Sequence, residues 1–364
     1  MKKNILFDTF KINKTELRNR IGLAPMTRIS ATKDGYVTDK MVKYYRSFAK
    51  GGFGLIITEG TYIDDKNSQT YQYQPGIAFD GQAVVWKKIV DAVHEEGSKI
   101  FMQLQHSGPL SQGNHFSEET IAPSSVKPQG EQLKFYFGEG EYKIPRAMTK
   151  EEMDNVKKSF VKAAQRAESA GFDGVEIHGA NGYLLDAFLT EYTNLRTDEY
   201  GGSTENRVRF LVEIASEVTK SVGDDFIVGM RISQSQVNDY TYKWSGKEED
   251  AKIIFGSLGQ SGLDYIHVTE YKAWQHAFDG GEKSLVSLAK KYSQLPIIAN
   301  GQLDNIERAT EMLSNGDADV VTIGKGALAN HDWVKKVEKE EPLTVFNPDE
   351  VLYPVANIKD FEIN

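Results

Sequence analysis

The sequence has no cysteine in 364 residues. Disulfides, iron–sulfur clusters, thiolate nucleophiles and cysteine-based zinc sites are excluded together. A disulfide-free chain fits the cytosol, and a cytoplasmic location is expected. No apolar run approaches the ~20 residues of a membrane span. The first apolar stretch, Ile5-Leu6-Phe7, falls well short of the roughly 7–15 residues of a secretory signal. Basic charge is also in deficit: 43 Lys plus Arg stand against 52 Asp plus Glu, for a net charge of −9. Nucleic acid and anionic membrane would both call for a basic face, so neither is an expected partner. A small anionic ligand remains compatible, because a local site can oppose the net sign. Interior Pro/Gly/Ser-rich linkers, low-complexity tracts and close repeats are missing too. One domain over residues 1–364 is the expectation.

What is present is alternation. Short apolar runs at 21–25, 55–58, 100–104, 174–177, 227–232, 265–268, 296–299 and 320–323 read as strands. Amphipathic stretches at 39–50, 81–96, 149–170, 205–222, 248–260, 282–291, 305–315 and 330–339 read as helices between them. Thr149 three residues before Glu152 forms a capping-box pattern. Gly51, Gly97 and Gly171 follow their helices, where a left-handed residue is easily supplied by glycine. Eight strands, each followed by a helix, predict a single (β/α)₈ TIM barrel, with an open doubly wound sheet as the alternative. Two connections are long for βα loops: 106–148 after strand three and 178–204 after strand four. Phe135, Tyr136 and Phe137 between Gly130 and Gly138 suggest a small hairpin or flap in the first. The tail 341–364, with Pro342, Pro348 and Pro354, is expected to pack along the barrel.

A barrel gathers its strand ends at one face, where active sites occur. The ends here are Pro25-Met26-Thr27, Glu59-Gly60, Gln103, His178, Arg231, Asn300-Gly301 and Gly324-Lys325. They include no carboxylate cluster suited to a metal and no Ser–His–Asp arrangement. The turns after strands seven and eight, Asn300-Gly301 and Gly324-Lys325-Gly326, suit a phosphate, since glycine lets backbone N–H groups approach an anion. Plain tight turns are the alternative. Arg231 can hold a delocalised anion or serve a loop-bridging ion pair. The Gln103 amide offers a donor and an acceptor to a heterocycle edge, or a rim hydrogen bond. In Glu176-Ile-His178-Gly-Ala-Asn181-Gly-Tyr183, His178 and Asn181 can donate to one oxygen as a paired oxyanion site, and Tyr183 can supply a proton. A structural histidine is the rival reading.

At these residues the chain resembles the Old Yellow Enzyme family of FMN-dependent NAD(P)H oxidoreductases, over nearly its full length. The segments that carry the resemblance are Ala24-Pro-Met-Thr-Arg28, Ile57-Thr-Glu-Gly60, Phe101-Met-Gln-Leu104 with His106-Ser-Gly108, and Ala122-Pro-Ser124. To these add Ala170-Gly-Phe-Asp-Gly-Val-Glu-Ile-His178, and Asn194-Leu-Arg-Thr-Asp-Glu-Tyr-Gly-Gly-Ser203 with Glu205-Asn-Arg207. The resemblance implies a single barrel with FMN at its mouth. Pro25, Met26 and Thr27 would lie along the isoalloxazine, with Gly60 giving close backbone access. Gln103 would bond the pyrimidine part and Arg231 would sit near N1 and O2. Asn300, Gly301, Gly324 and Lys325 would hold the phosphate. His178 and Asn181 would bind a substrate carbonyl, and Tyr183 would deliver the proton. The implied activity is ene-reductase: NADH or NADPH reduces the flavin, and hydride from N5 then reduces the activated C=C bond of an α,β-unsaturated carbonyl or nitro compound. A homodimer is the family-level expectation.

The chain departs from the family pattern at four places. Lys325 replaces the usual Arg, exchanging a bidentate fork for a point charge. Gln105 stands where many members carry Trp. Thr27 stands where one branch has Cys. The C-terminal aromatic pair of classical members is not evident. Tyr71, before Gln74-Pro75-Gly76, offers a substrate-binding aromatic wall, with a surface tyrosine as the alternative. The run Asp198–Arg207 reads as structural, knitting the fourth loop by ion pairs. A non-redox barrel binding a phosphorylated metabolite through the last two turns is the rival from another class.

Overall fold

A computed structural model describes residues 4–363; residues 1–3 and 364 of the expected single domain lie outside the described residues. Eight parallel strands close into a barrel: β1 (Ile21–Leu23), β2 (Leu55–Ile57), β3 (Lys99–Gln105), β4 (Gly174–Asn181), β5 (Ile227–Gln236), β6 (Tyr265–Thr269), β7 (Ile297–Asn300) and β8 (Val320–Ile323). Each strand pairs with the next, and β8 pairs with β1 through Val321↔Ile21, which closes the ring. The expected TIM barrel is therefore the observed fold. Among the described residues, no helix is long and apolar enough to cross a membrane.

The helices following the strands are α1 (Asp39–Lys50), α2 (Asp80–Glu95), α3 (Lys150–Ser169), α4 (Thr204–Ser221), α5 (Glu248–Gly259), α6 (Leu285–Ser293), α7 (Ile306–Ser314) and α8 (Trp333–Glu338). Their apolar faces bury Phe48, Trp86, Phe160, Leu211, Phe255 and Trp333 against the outside of the barrel. Thr149 and Glu152 form the capping box read from the sequence. Gly97 and Gly171 adopt the left-handed region at φ +77° and +90°. Gly51 does not: it stays helical at φ −67°, and Gly52 turns the chain at φ +107°. Gly51 answers to a different demand, because a Cβ there would strike the His331 carbonyl.

The barrel interior is closed from below. A hairpin of Phe10–Ile12 and Thr15–Leu17 inserts Ile12 and Leu17 against Leu55, Phe101, Tyr265, Ile298 and Val320. That end is closed by buried apolar side chains, and residues two positions further along the same side, Gln103 after Phe101 and Asn300 after Ile298, line the cavities at the mouth. Strands β4 and β5 run past their predicted ends. A register shift between Ile232 and Gln236 lets Gln236 pair with Asn181, which carries β4 through His178 and into the site.

Candidate active site

One cavity of about 280 Å³ at the barrel mouth is lined by Pro25, Met26, Thr27, Gly60, Tyr71, Gln103, His178, Asn181, Tyr183, Arg231 and Lys325. A neighbouring cavity of about 610 Å³ is lined by Asn300, Gly301, Gly324 and again Lys325. The sequence-derived site residues thus fall on two adjoining spaces that share one exposed lysine. Volume alone does not find them. A groove of about 910 Å³ between α1 and α8 is larger, but it lies outside the barrel mouth among charged surface side chains.

Strand register sets the polar floor. Arg231 stands beside His178 on one side and His267 on the other, and Gln103 stands beside Glu176. Arg231 Nη2 donates to Thr269 Oγ1 at 3.1 Å and to Asn300 Oδ1 at 3.0 Å. Asn300 Nδ2 in turn donates to the Thr322 carbonyl at 3.0 Å. The Asn300 amide is therefore engaged in holding Arg231, and its backbone carbonyl accepts from the Glu270 N–H at 3.1 Å. Among the described residues, Arg231 Nε and His178 Nδ1 are buried without a partner. Orphaned polar atoms at the edge of a cavity are costly unless a ligand meets them.

The His178 ring lies 5.0 Å from the Tyr183 ring, edge to face. Burial, helped by the Arg231 charge, lowers the His178 imidazole to about 3, so it is neutral at physiological pH. Asn181 follows in the left-handed region at φ +65°, its N–H donating to Ser233 Oγ at 2.9 Å. The Tyr183 and Tyr71 hydroxyls are hydrogen-bonded at 2.7 Å. Burial raises the Tyr183 phenol to about 12, against the opposing pull of Tyr71, Arg231 and Gln105. Tyr71 is 2% exposed, so it is a wall of the site and not a surface residue.

Several lining residues carried no sequence assignment. Gln105 is buried and donates to Thr70 Oγ1 at 2.7 Å. It also explains Gly60, where a Cβ would overlap the Gln105 amide. Tyr136 packs on Tyr71 with ring centroids 4.4 Å apart, and its hydroxyl donates to the Thr27 carbonyl at 3.1 Å. It belongs to the expected flap: a turn at Lys134–Tyr136 whose arms are joined by one antiparallel bridge, Glu131↔Glu141. The aromatic cluster 135–137 was its only signal. The far wall comes from Val237, Tyr240, Phe346 and Leu352, so the tail supplies an aromatic residue from a segment with no recognisable motif.

The turn at 25–29 is fixed from behind. Glu59 Oε2 accepts from the N–H groups of Arg28 and Ile29 at 2.8 and 3.2 Å. Burial pushes the Glu59 carboxyl up to about 7 despite those bonds. Arg28, fully buried, pairs with Glu362 at 2.5 Å and donates to the carbonyls of Ala356 and Asn357. The tail is strapped to the barrel mouth by that guanidinium. The 198–207 run is structural: Arg196 pairs with Asp198, and Arg207 with Glu191.

The NADH:flavin oxidoreductase / NADH oxidase family model matches residues 5–344. The chain belongs to this family. It is the Old Yellow Enzyme family of the sequence resemblance, and membership decides against the non-redox barrel. The enzyme is an FMN-dependent NAD(P)H oxidoreductase, with FMN as cofactor and NADH or NADPH as cosubstrate. It is 33% identical over 343 residues to the NADH oxidase of Thermoanaerobacter brockii, covering 92% of this chain and 50% of that protein, so it spans only half of that relative's length. A probable flavin mononucleotide-dependent alkene reductase of Leishmania infantum is 33% identical over 367 residues, covering 96% of each chain. The solved Old Yellow Enzyme homologue of Zymomonas mobilis superposes with a TM-score of 0.84 at 32% identity, covering 93% of this chain and 94% of that one.

The residues present fit FMN. Two adjoining cavities are offered to a ring and a phosphate, and Arg231, whose buried Nε has no partner among the described residues, lines the first. At the second, Gly301 has φ +138° and a Cβ would strike the Glu270 carbonyl. A Cβ at Gly324 would meet only Met26 Sδ at 3.6 Å and Ala24 at 3.9 Å. The space that Gly324 leaves is one the protein itself does not fill.

Proposed function

We propose that this oxidoreductase reduces the activated C=C bond of α,β-unsaturated carbonyl or nitro compounds, acting through the whole 1–364 chain as one FMN-binding domain. The observation that carries this reading is an imidazole, an amide and a phenol on one cavity: His178 Nδ1 has no partner among the described residues, Asn181 lines the same cavity, and the Tyr183 ring centroid lies 5.0 Å from that of His178.

The chemistry FMN supplies when bound is hydride exchange between the nicotinamide and the alkene. Pro25, Met26, Thr27 and Gly60 would hold its ring, Gln103 and Arg231 its pyrimidine edge, and the backbone at Asn300-Gly301 and Gly324 with Lys325 its phosphate. His178 and Asn181 bind the substrate carbonyl. A neutral imidazole donates without adding a full charge, and the pair polarises the alkene as an oxyanion site does. Tyr183 protonates the α carbon. Tyr71 can donate to the Tyr183 oxygen, an arrangement that leaves the Tyr183 proton for the cavity. Tyr71, Tyr136 and Phe346 exclude water. The partner is a small electrophilic alkene; a homodimer and a cytoplasmic location remain our reading of the family.

The test is anaerobic. The purified, FMN-reconstituted protein is bleached with NADH or NADPH and then mixed with 2-cyclohexenone. Recovery of the oxidised spectrum with formation of cyclohexanone supports the reading. A protein that reduces its flavin but passes no electrons to enones or nitroalkenes overturns it.

A further inference from the structure

The barrel floor contains a carboxylate that the reading above does not use. Glu176 is fully buried, in a fold whose interior is ordinarily packed with branched apolar side chains. An uncompensated charge there would be strongly unfavourable. It is instead surrounded: His267 Nδ1 lies at 2.8 Å and the Tyr265 hydroxyl at 3.1 Å from Oε2, and Gln103 Nε2 donates to Oε1 at 2.8 Å. Thr322 Oγ1 lies 2.9 Å from His267 Nε2. The ring can therefore donate to Glu176 and accept from Thr322 while neutral. Burial works against the carboxylate, but His267, Arg231 and Gln103 hold it at about 2.

Two of these neighbours, Gln103 and Arg231, line the ring cavity. An amide whose nitrogen is committed to a carboxylate presents its oxygen elsewhere, so Gln103 meets the cavity as an acceptor. A neutral residue at 176 would release that amide to turn over. It would also leave the Arg231 charge without its buried counter-charge.

We infer that Glu176 is a positioning residue: it fixes the Gln103 amide as an acceptor for the N3–H of the FMN pyrimidine ring and offsets the Arg231 cation beside it. The inference rests on FMN occupying this cavity. Its readouts are flavin affinity and potential, not turnover.

The experiment compares FMN with 3-methyl-FMN, which lacks the N3–H, by fluorescence titration of the apoprotein. Wild type is expected to prefer FMN at least tenfold, and Glu176→Gln to bring the two within about twofold. With FMN bound, Glu176→Gln is expected to raise the midpoint potential, since the less-compensated Arg231 favours the anionic reduced ring. Each tenfold in relative affinity of reduced over oxidised flavin appears as about 30 mV for a two-electron couple. Tyr265→Phe removes one bond to Glu176 but neither its charge nor Gln103, and is expected to change neither readout. If Glu176→Gln does not fold, Glu176→Asp serves: it keeps the charge but retracts it, so N3 discrimination falls while the potential stays near wild type. A wild type that binds both flavins equally, or Glu176 variants that retain wild-type discrimination, overturns the inference. A wild type that binds no flavin overturns the cofactor placement instead.

Discussion

With Tyr183 as the proposed proton donor, Tyr183→Phe is expected to separate the two halves of the catalytic cycle, because they share the flavin but not the proton. The substitution keeps the ring that packs on His178 and deletes only the hydroxyl hydrogen-bonded to Tyr71 at 2.7 Å. Tyr183 is 5% exposed, so bulk solvent has little access to the vacated position. General acid catalysis is typically worth roughly 10²–10⁴-fold, or about 3–5 kcal/mol of barrier. Enone reduction is expected to slow by that factor. Flavin reduction by NAD(P)H, which protonates no carbon, stays near wild type. Nitroalkenes provide the internal control, since their reduced product is stable as an anion and can leave before protonation. The phenol is held at about 12, so the donor is fully protonated from pH 6 to 9. Its contribution declines only as pH rises toward 12, and the wild-type enone rate shows no tyrosine limb across the lower range. Stopped-flow mixing of reduced enzyme with 2-cyclohexenone or a nitroalkene measures both. Equal slowing with both acceptors, or slowing of the reductive half, would mean that Tyr183 only shapes the cavity.

Four further outcomes are expected. His178→Ala removes one of the two proposed carbonyl donors and is expected to weaken phenol binding, read from the long-wavelength charge-transfer band, by about 1.5–3 kcal/mol; unchanged titrations would contradict the assignment. Because burial holds the His178 imidazole well down, at about 3, it is neutral throughout pH 5–8, and phenol affinity is expected to show no inflection near 6.5; such an inflection would place a histidine cation in the site. Arg231→Met lowers the flavin potential and slows reduction by NAD(P)H, and a potential identical to wild type would return Arg231 to a structural role. Arg28→Leu strands the buried Glu362 carboxylate and costs about 3–5 kcal/mol of stability; a loss under 1 kcal/mol in urea unfolding would mean the tail is held by other contacts.

The barrel and its reacting face were legible because both follow from local rules. Apolar runs alternating with capped helices require no knowledge of distant contacts, and strand ends converge by topology alone. The limits appear where distant chain segments meet. The far wall depends on Arg28 reaching Glu362, 334 positions away, and no periodicity announces such a pairing. Tyr136 was visible only as part of an aromatic cluster, because the flap's geometry is set by Tyr71 beneath it. Glu176 stood in the quoted motif without a role. A carboxylate in a strand reads as solvent-facing until the closed bottom of the barrel and the register with Gln103 are known. Gly51 misled for a related reason: its small size serves the His331 backbone, a neighbour the sequence places far away.

The way the ring closes bears on how the protein is made. Strand β8 must find β1 across about 300 residues through Val321 and Ile21, and the Arg28 strap spans still more chain. Contacts of such long range form late and slowly, because loop-closure entropy is lost before they stabilise anything. The mouth of the barrel is built from both partners of these late contacts: the 25–29 turn, the β7 and β8 turns and the tail. Before closure the proposed cradle for a flavin ring and its phosphate is incomplete. Cofactor uptake therefore follows the folding barrier instead of lowering it. Added FMN is expected to slow unfolding and leave the refolding rate unchanged.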